Sequence, residues 1–222
     1  MNSYILSFDL SSTCTGVAIA ELRKNKLVSL DTLAIKPPAL DPRTLGFLPK
    51  KGKGKLRDGT LITSYLTSKN EVLSKAEKKK RDFIVKSASE KARLEYTILR
   101  LKKLIDHFTP FIIIMEANMA FRSMEVTRIL AEVAGALQAL AATLNIRLVK
   151  LNVHVVRGKW DLYGETKKFV KTITPAQAAK MDLTKEVLKH LMLNKYARFN
   201  LRGNMTTDES DALVLLDYWL NF

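Results

Sequence analysis

The sequence contains one cysteine, Cys14, and three histidines, which lie far apart and have no cysteine neighbours. A single thiol excludes an internal disulfide, and the histidines meet no zinc-ligand spacing, so a metal site would have to rest on carboxylates. Long apolar runs are also missing. The longest span only a few residues, as at 111–115, whereas a membrane-spanning helix needs about twenty. No membrane partner is expected. Residues 1–10 carry no basic leader, and Asp9 interrupts their apolar stretch, which a signal peptide would not tolerate. The expected location is the compartment of synthesis, the cytoplasm.

Acidic residues are scarce as well: 22 Asp and Glu stand against 37 Lys and Arg, a formal net charge of +15 over 222 residues. Between residues 50 and 103 there are 17 basic residues and 6 acidic ones. An excess this concentrated binds polyanions by releasing their counterions and favours a nucleic acid over a small substrate. A surface made basic for solubility alone is the plainer alternative, although solubility needs far less charge. With 47% hydrophobic residues the chain can bury one sizeable core, and it is read as one domain spanning residues 1–222.

Residues 4–10 read as a buried strand, 16–21 and 26–35 as two further strands joined by short polar turns, and together they form antiparallel hairpins. From Pro37 the character changes. Prolines, glycines and the run Lys50-Lys51-Gly52-Lys53-Gly54-Lys55 give a basic insertion at about residues 39–86, read as mobile and in contact with DNA. Residues 87–108 set Leu94, Ile98, Leu101, Ile105 and Phe108 on one helical stripe, with Pro110 as a stop. Residues 111–115 form a short apolar run of the kind covered on both faces and end at Glu116. An alanine-rich helix at 123–144, a strand at 146–151, a basic stretch at 157–171, a helix at 183–193 and a last helix near Asp208 follow. The order predicts an α/β fold, a mixed five-stranded sheet flanked by helices. No repeat or heptad emerges.

Asp9 sits in Tyr4-Ile5-Leu6-Ser7-Phe8-Asp9-Leu10, where an ionised carboxylate needs a cation or hydrogen bonds to offset its burial. Capping of its own turn through the amides of residues 11–13 would serve equally well. Glu116 repeats the pattern at an expected sheet end, where α/β folds gather ligands, although a strand-terminal glutamate can simply face solvent. Thr206-Thr207-Asp208-Glu209-Ser210-Asp211-Ala212 opens the last helix, with Thr206 and Glu209 in capping-box spacing and Asp208 and Asp211 on one face. The macrodipole favours acids in a first turn whatever their function. Taken together, the four carboxylates suit a hard divalent cation, and two such ions can hold a scissile phosphate between them.

These blocks resemble those of a known family. Asp9-Leu10-Ser11-Ser12-Thr13-Cys14-Thr15-Gly16 resembles the first-strand motif of RuvC-type Holliday junction resolvases, Ile113-Ile114-Met115-Glu116 their second acidic strand, and Asp208-Glu209-Ser210-Asp211-Ala212 their terminal acidic pair. The similarity covers residues 1–35 and roughly 98–222. It implies an RNase H-like fold, two Mg²⁺ ions per site with Mn²⁺ as an alternative, and a homodimer that nicks opposed strands of branched DNA such as four-way junctions and forks. It also implies that Asp9 bridges both ions, that Glu116 and Asp211 each help hold one, and that Asp208 completes the set.

Lys185 matches a basic residue the family keeps near the scissile phosphate, and Lys167, Lys168 or Lys171 would supply a second. The alanine-rich helix resembles the family's dimer helix, while its small residues suit an intramolecular core equally well. Leu10 and Ser11 stand where cellular members have proline and glycine, and the basic insertion is absent from the compact bacterial form. These departures resemble the phage branch, for which the location would be the host-cell cytoplasm. Lys50, Lys51, Lys53, Lys55 and Arg122 are further candidate DNA contacts. Phe121 is a candidate for stacking on a base, with ordinary core packing as the plainer reading. The rival readings are another RNase H-like nuclease, a non-catalytic junction-binding protein, and an actin-like ATPase. The last is disfavoured by the lack of a second glycine-rich phosphate loop.

Overall fold

The computed structural model describes residues 3–11, 13–37, 53–55, 61–63, 75–117 and 124–221, with side chains undescribed at 53–55, 61–63, 75–89, 125 and 153–154. The chain divides into two compact units: residues 1–36 with 97–222, and residues 37–96.

The first unit is built on a five-stranded sheet in the order β3-β2-β1-β6-β7. The strands are β1 (Ser3–Asp9), β2 (Thr15–Arg23), β3 (Lys26–Ile35), β6 (Ile112–Glu116) and β7 (Arg147–Leu151). β1 pairs antiparallel with β2, and β2 with β3, whereas β1–β6 and β6–β7 are parallel. The sheet is therefore mixed, hairpins first and crossovers after. Lys24 and Asn25, between β2 and β3, both adopt positive φ (52° and 61°). A two-residue hairpin turn needs this conformation to match the twist of its strands. β1 and β6 sit in the middle of the sheet, which is why both read as nearly unbroken apolar runs.

Helices cover both faces. Ile5, Ala18, Ala20, Ile112 and Ile114 join a core cluster with α6 (Leu183–Lys195) and α7 (Thr207–Asn221), whose Ala212–Leu216 segment is fully buried. The two-residue period of the strands turns Leu6, Phe8, Val17, Ile19, Ile113 and Met115 to the other face, all buried. There α1 (Lys75–Phe108) contributes Leu101 and Ile105, and α2 (Met124–Thr143) contributes Leu130, Val133, Ala134, Leu137 and Ala141. Among the described residues, Val126–Thr143 of α2 is the one segment that is long and apolar enough to cross a membrane. Of that segment 28% is buried, along the stripe of Leu130, Val133, Ala134, Leu137 and Ala141. After β7 come the short α3 (Val153–Arg157), α4 (Leu162–Val170) and α5 (Pro175–Ala178).

In the second unit β4 (Lys53–Lys55) pairs antiparallel with β5 (Leu61–Thr63), and α1 begins at Lys75 rather than Ser87. The charge run that opens α1 looks like a loop by polarity, yet Ala76, Glu77, Lys78, Lys79, Lys80 and Arg81 are all strong helix formers. The helix closes at Thr109 (φ 42°), whose N–H donates to the Ile105 carbonyl at 2.9 Å, immediately before Pro110.

Candidate metal and phosphate site

Asp9 and Glu116 are the last residues of the neighbouring parallel strands β1 and β6, one register step beyond the Phe8–Met115 pair. Both therefore lie at the carboxyl edge of the sheet. On the other side of β1, Asp9 pairs with Gly16, and a Cβ built on Gly16 would lie 1.9 Å from the Asp208 carbonyl oxygen. Only a glycine lets the first turn of α7 rest on β2 at this point.

The predicted capping box forms. The Thr206 N–H and Oγ1–H each donate to Glu209 Oε2 at 2.8 Å, and the Glu209 N–H donates back to Thr206 Oγ1 at 3.2 Å. Glu209 is thus consumed by the cap, while Asp208 and Asp211 share the opposite side of the turn.

Two cations meet these acids. Lys185 Nζ lies 2.9 Å from Asp211 Oδ2 and 3.7 Å from Asp208 Oδ1. The Arg157 Nη2–H donates to Asp211 Oδ1 at 3.2 Å. Burial pushes the Asp9 carboxyl well above its usual range, and the Asp211 charge adds to the effect, while Lys185 opposes it. Glu116 is raised too, again chiefly by burial, against the lowering influence of Arg157 and a hydrogen bond from Asp9. Burial lowers Lys185, but its bond to and attraction by Asp211 leave it raised overall. The Cys14 thiol, partly buried and hydrogen-bonded to Asp208, is pushed up to about 12, so it stays protonated and inert at neutral pH.

The donor set is all carboxylate oxygen, which suits Mg²⁺ or Mn²⁺ rather than a thiophilic metal. Four acids face two basic groups, so the ionised cluster is net negative and a divalent ion would offset that charge. These residues fit a hard divalent ion in their chemistry. As they stand, no three acid, thiol or imidazole groups among the described residues converge closely enough to hold one.

No family model matches the chain, and no curated protein sequence does. Among solved structures, T. thermophilus RuvC in complex with Holliday junction substrate aligns over 98% of this chain and 94% of that one, with a TM-score of 0.50 at 12% identity. The chain has the RuvC-type, RNase H-like fold. A second Thermus thermophilus RuvC structure aligns at TM-score 0.45 and 13% identity, over 96% of this chain and 90% of that one. The yeast mitochondrial Holliday junction resolvase aligns at TM-score 0.43 and 12% identity, covering 98% of this chain and 78% of its own.

On this RuvC-type fold the other three predicted acids lie within electrostatic reach of Asp9, with Lys185 beside them. The lysines of α4 are engaged differently: Lys167 Nζ sits 4.1 Å over the Tyr163 ring, and Lys168 pairs with Glu165 at 2.7 Å. Lys171 caps the carboxyl end of α4. Among the described residues, the basic group that reaches the cluster besides Lys185 is Arg157, at the end of α3, which in sequence stands out only as part of a basic stretch. The usable signal is its position just past β7, the strand parallel to β6, since residues there flank the same sheet edge. Lys53 and Lys55 lie in β4 with undescribed side chains, and Lys50, Lys51, Phe121 and Arg122 fall outside the described residues.

Proposed function

We propose that this chain is a metal-dependent endonuclease that cuts branched DNA, four-way junctions foremost, in recombination, repair or DNA debranching. One arrangement carries the reading: two acids at the ends of adjacent parallel strands, buried Asp9 and half-buried Glu116, gathered with Asp208 and Asp211 on a helix start. The T. thermophilus RuvC structure it resembles is in complex with a Holliday junction, and that substrate class enters here as part of the proposal. So do a homodimer with one site per strand and a cytoplasmic location.

In this reading Asp9, Glu116, Asp208 and Asp211 hold two Mg²⁺ or Mn²⁺ ions. When bound, such ions activate water and stabilise the leaving oxygen of a phosphodiester. The protein's own groups do the rest. Burial of Asp9 keeps bulk water from competing for its oxygens, and the rigid β1–β6 pair fixes its distance to Glu116. Lys185 and Arg157 supply an ammonium and a guanidinium beside the acids, the groups that would draw a backbone phosphate to them.

A second reading is favoured by one observation: each oxygen of Asp211 already faces a basic side chain, as in an acid used only to fix two phosphate-binding residues. The chain would then bind junctions without cutting them. The test is to incubate the wild-type protein and Asp9→Asn with labelled four-way junction, fork and linear duplex DNA, in Mg²⁺ and in EDTA. We expect paired nicks at the branch, abolished by EDTA and by Asp9→Asn while binding persists. Binding without cleavage in any divalent metal would overturn the nuclease reading in favour of the second.

A further inference from the structure

Asp211 has both of its oxygens taken. The Arg157 Nη2–H donates to Oδ1 at 3.2 Å, and Lys185 Nζ lies 2.9 Å from Oδ2 while reaching Asp208 Oδ1 at 3.7 Å. The Asp211 side chain is only 7% exposed. Each oxygen keeps a second lone pair, but an ion drawn to this carboxylate would stand against the charges of the two basic groups already on it.

The two groups are not equally free to leave. Arg157, its side chain 28% exposed, presents a rigid planar guanidinium whose Nε is buried, so only its outer end can leave the site. Lys185 is held at its backbone, where its N–H donates to the Asp182 helix cap at 3.2 Å. Its four-carbon stem, with a side chain 29% exposed, can turn outward without moving the helix.

We propose that Lys185 is a tethered stand-in cation. In the metal-free protein its ammonium occupies the place at Asp211 and Asp208 that a divalent ion takes, and ion binding releases it toward the substrate phosphate. The inference rests on the four carboxylates being metal ligands, as in the proposed function. It accounts for acids that lie close together yet do not converge into a three-acid group, because an ammonium sits between two of them. It also makes ion and DNA mutually favourable: the ion frees the ammonium, and a bound phosphate draws the ammonium away from the carboxylates.

The test reads metal binding without DNA or turnover. Metal-depleted wild type, Lys185→Met, Lys185→Gln, Asp9→Asn and, as a control, Lys102→Met are titrated with Mn²⁺ and followed by electron paramagnetic resonance. Folding is checked by circular dichroism. Lys102 pairs with Asp106 on the exposed side of α1. A stand-in cation predicts Mn²⁺ binding about tenfold tighter in both Lys185 variants, since a charge-assisted contact to Asp211 no longer competes. The metal-induced rise in thermal midpoint should grow in parallel. Lys102→Met should change the affinity by less than about twofold, because a distant exposed charge is screened. Unchanged or weaker binding in both Lys185 variants, with Asp9→Asn still abolishing the site, overturns the stand-in role and leaves the metal-nuclease reading intact. Absence of Mn²⁺ binding in every protein overturns both.

Discussion

Gly16 stands opposite Asp9 in the β1–β2 ladder, and a Cβ placed on it would come within 1.9 Å of the Asp208 carbonyl oxygen and 2.6 Å of the Glu209 nitrogen. These are backbone atoms of a capped helix start and cannot swing aside as a side-chain tip would. Gly16→Ala must therefore push the first turn of α7 off the sheet. The expected cost is about 1–3 kcal/mol, typical of overpacking, measured by urea denaturation and accompanied by loss of Mn²⁺ binding as Asp208 and Asp211 leave Asp9. A Gly16→Ala protein with wild-type stability and Mn²⁺ affinity would show that this close approach does not set the site. At the residue scale the acids are legible in sequence because a charge inside an apolar strand demands a partner. The Gly16 approach, the Cys14–Asp208 bond and the Arg157–Asp211 bond are not. Arg157 and Asp211 are 54 positions apart, and nothing local to either residue announces the other.

α6 and α7 meet around a second buried charge. Asp217, fully buried, accepts hydrogen bonds from the Tyr196 hydroxyl and from Asn221 Nδ2 at 3.0 Å, and Lys195 Nζ lies 2.7 Å from the same oxygen. Lys195 also rests 4.9 Å over the Trp160 ring. Burial and the bond to Asp217 push the Tyr196 phenol far above its usual value, so it stays a donor throughout the physiological range. This knot ties the helix that presents Lys185 to the helix that presents Asp211. Asp217→Ala removes the acceptor of Tyr196, Asn221 and Lys195 at once. Lys195, with 37% of its side chain exposed, can turn to solvent, so the expected cost of about 3–5 kcal/mol comes from the two bonds that Tyr196 and Asn221 make to a charged acceptor. Tyr196→Phe keeps Lys195 and Asn221 on Asp217 and should cost less, about 1.5–3 kcal/mol for one bond to a charged acceptor. Chemical denaturation of both variants measures the difference, and an Asp217→Ala cost within about 0.5 kcal/mol, the range of ordinary surface changes, would refute the knot. The elements themselves are largely legible in sequence. The strands at 26–35 and 146–151 and the helix at 183–193 fall within a residue or two of the observed bounds, since period-two and period-3.6 apolar patterns report burial directly. The start of α1 is not, because polarity alone does not distinguish a solvated helix from a loop.

Over the whole chain, the order of hairpins and crossovers is enough to specify a mixed sheet, because handedness and short connections leave few ways to arrange it. The second compact unit, residues 37–96, starts where the composition changes at Pro37, whereas its end falls inside α1, where no change of composition marks it. Charge is the property that belongs to this scale. Of the +15 total, the stretch from residue 50 to 103 holds 17 basic and 6 acidic residues, separate in sequence from all four carboxylates. If that excess serves DNA, affinity for a four-way junction in EDTA should fall about 10³-fold or more between 50 and 200 mM salt, as for six or more neutralised phosphates. Replacing Lys50, Lys51, Lys53 and Lys55 together by Gln should then flatten the plot of log affinity against log salt by roughly 0.9 for each phosphate no longer neutralised. A slope identical to wild type would mean that these four lysines keep the protein soluble and touch no phosphate. Any junction affinity would then have to come from elsewhere, with Lys185 and Arg157 the basic groups already placed beside the acids.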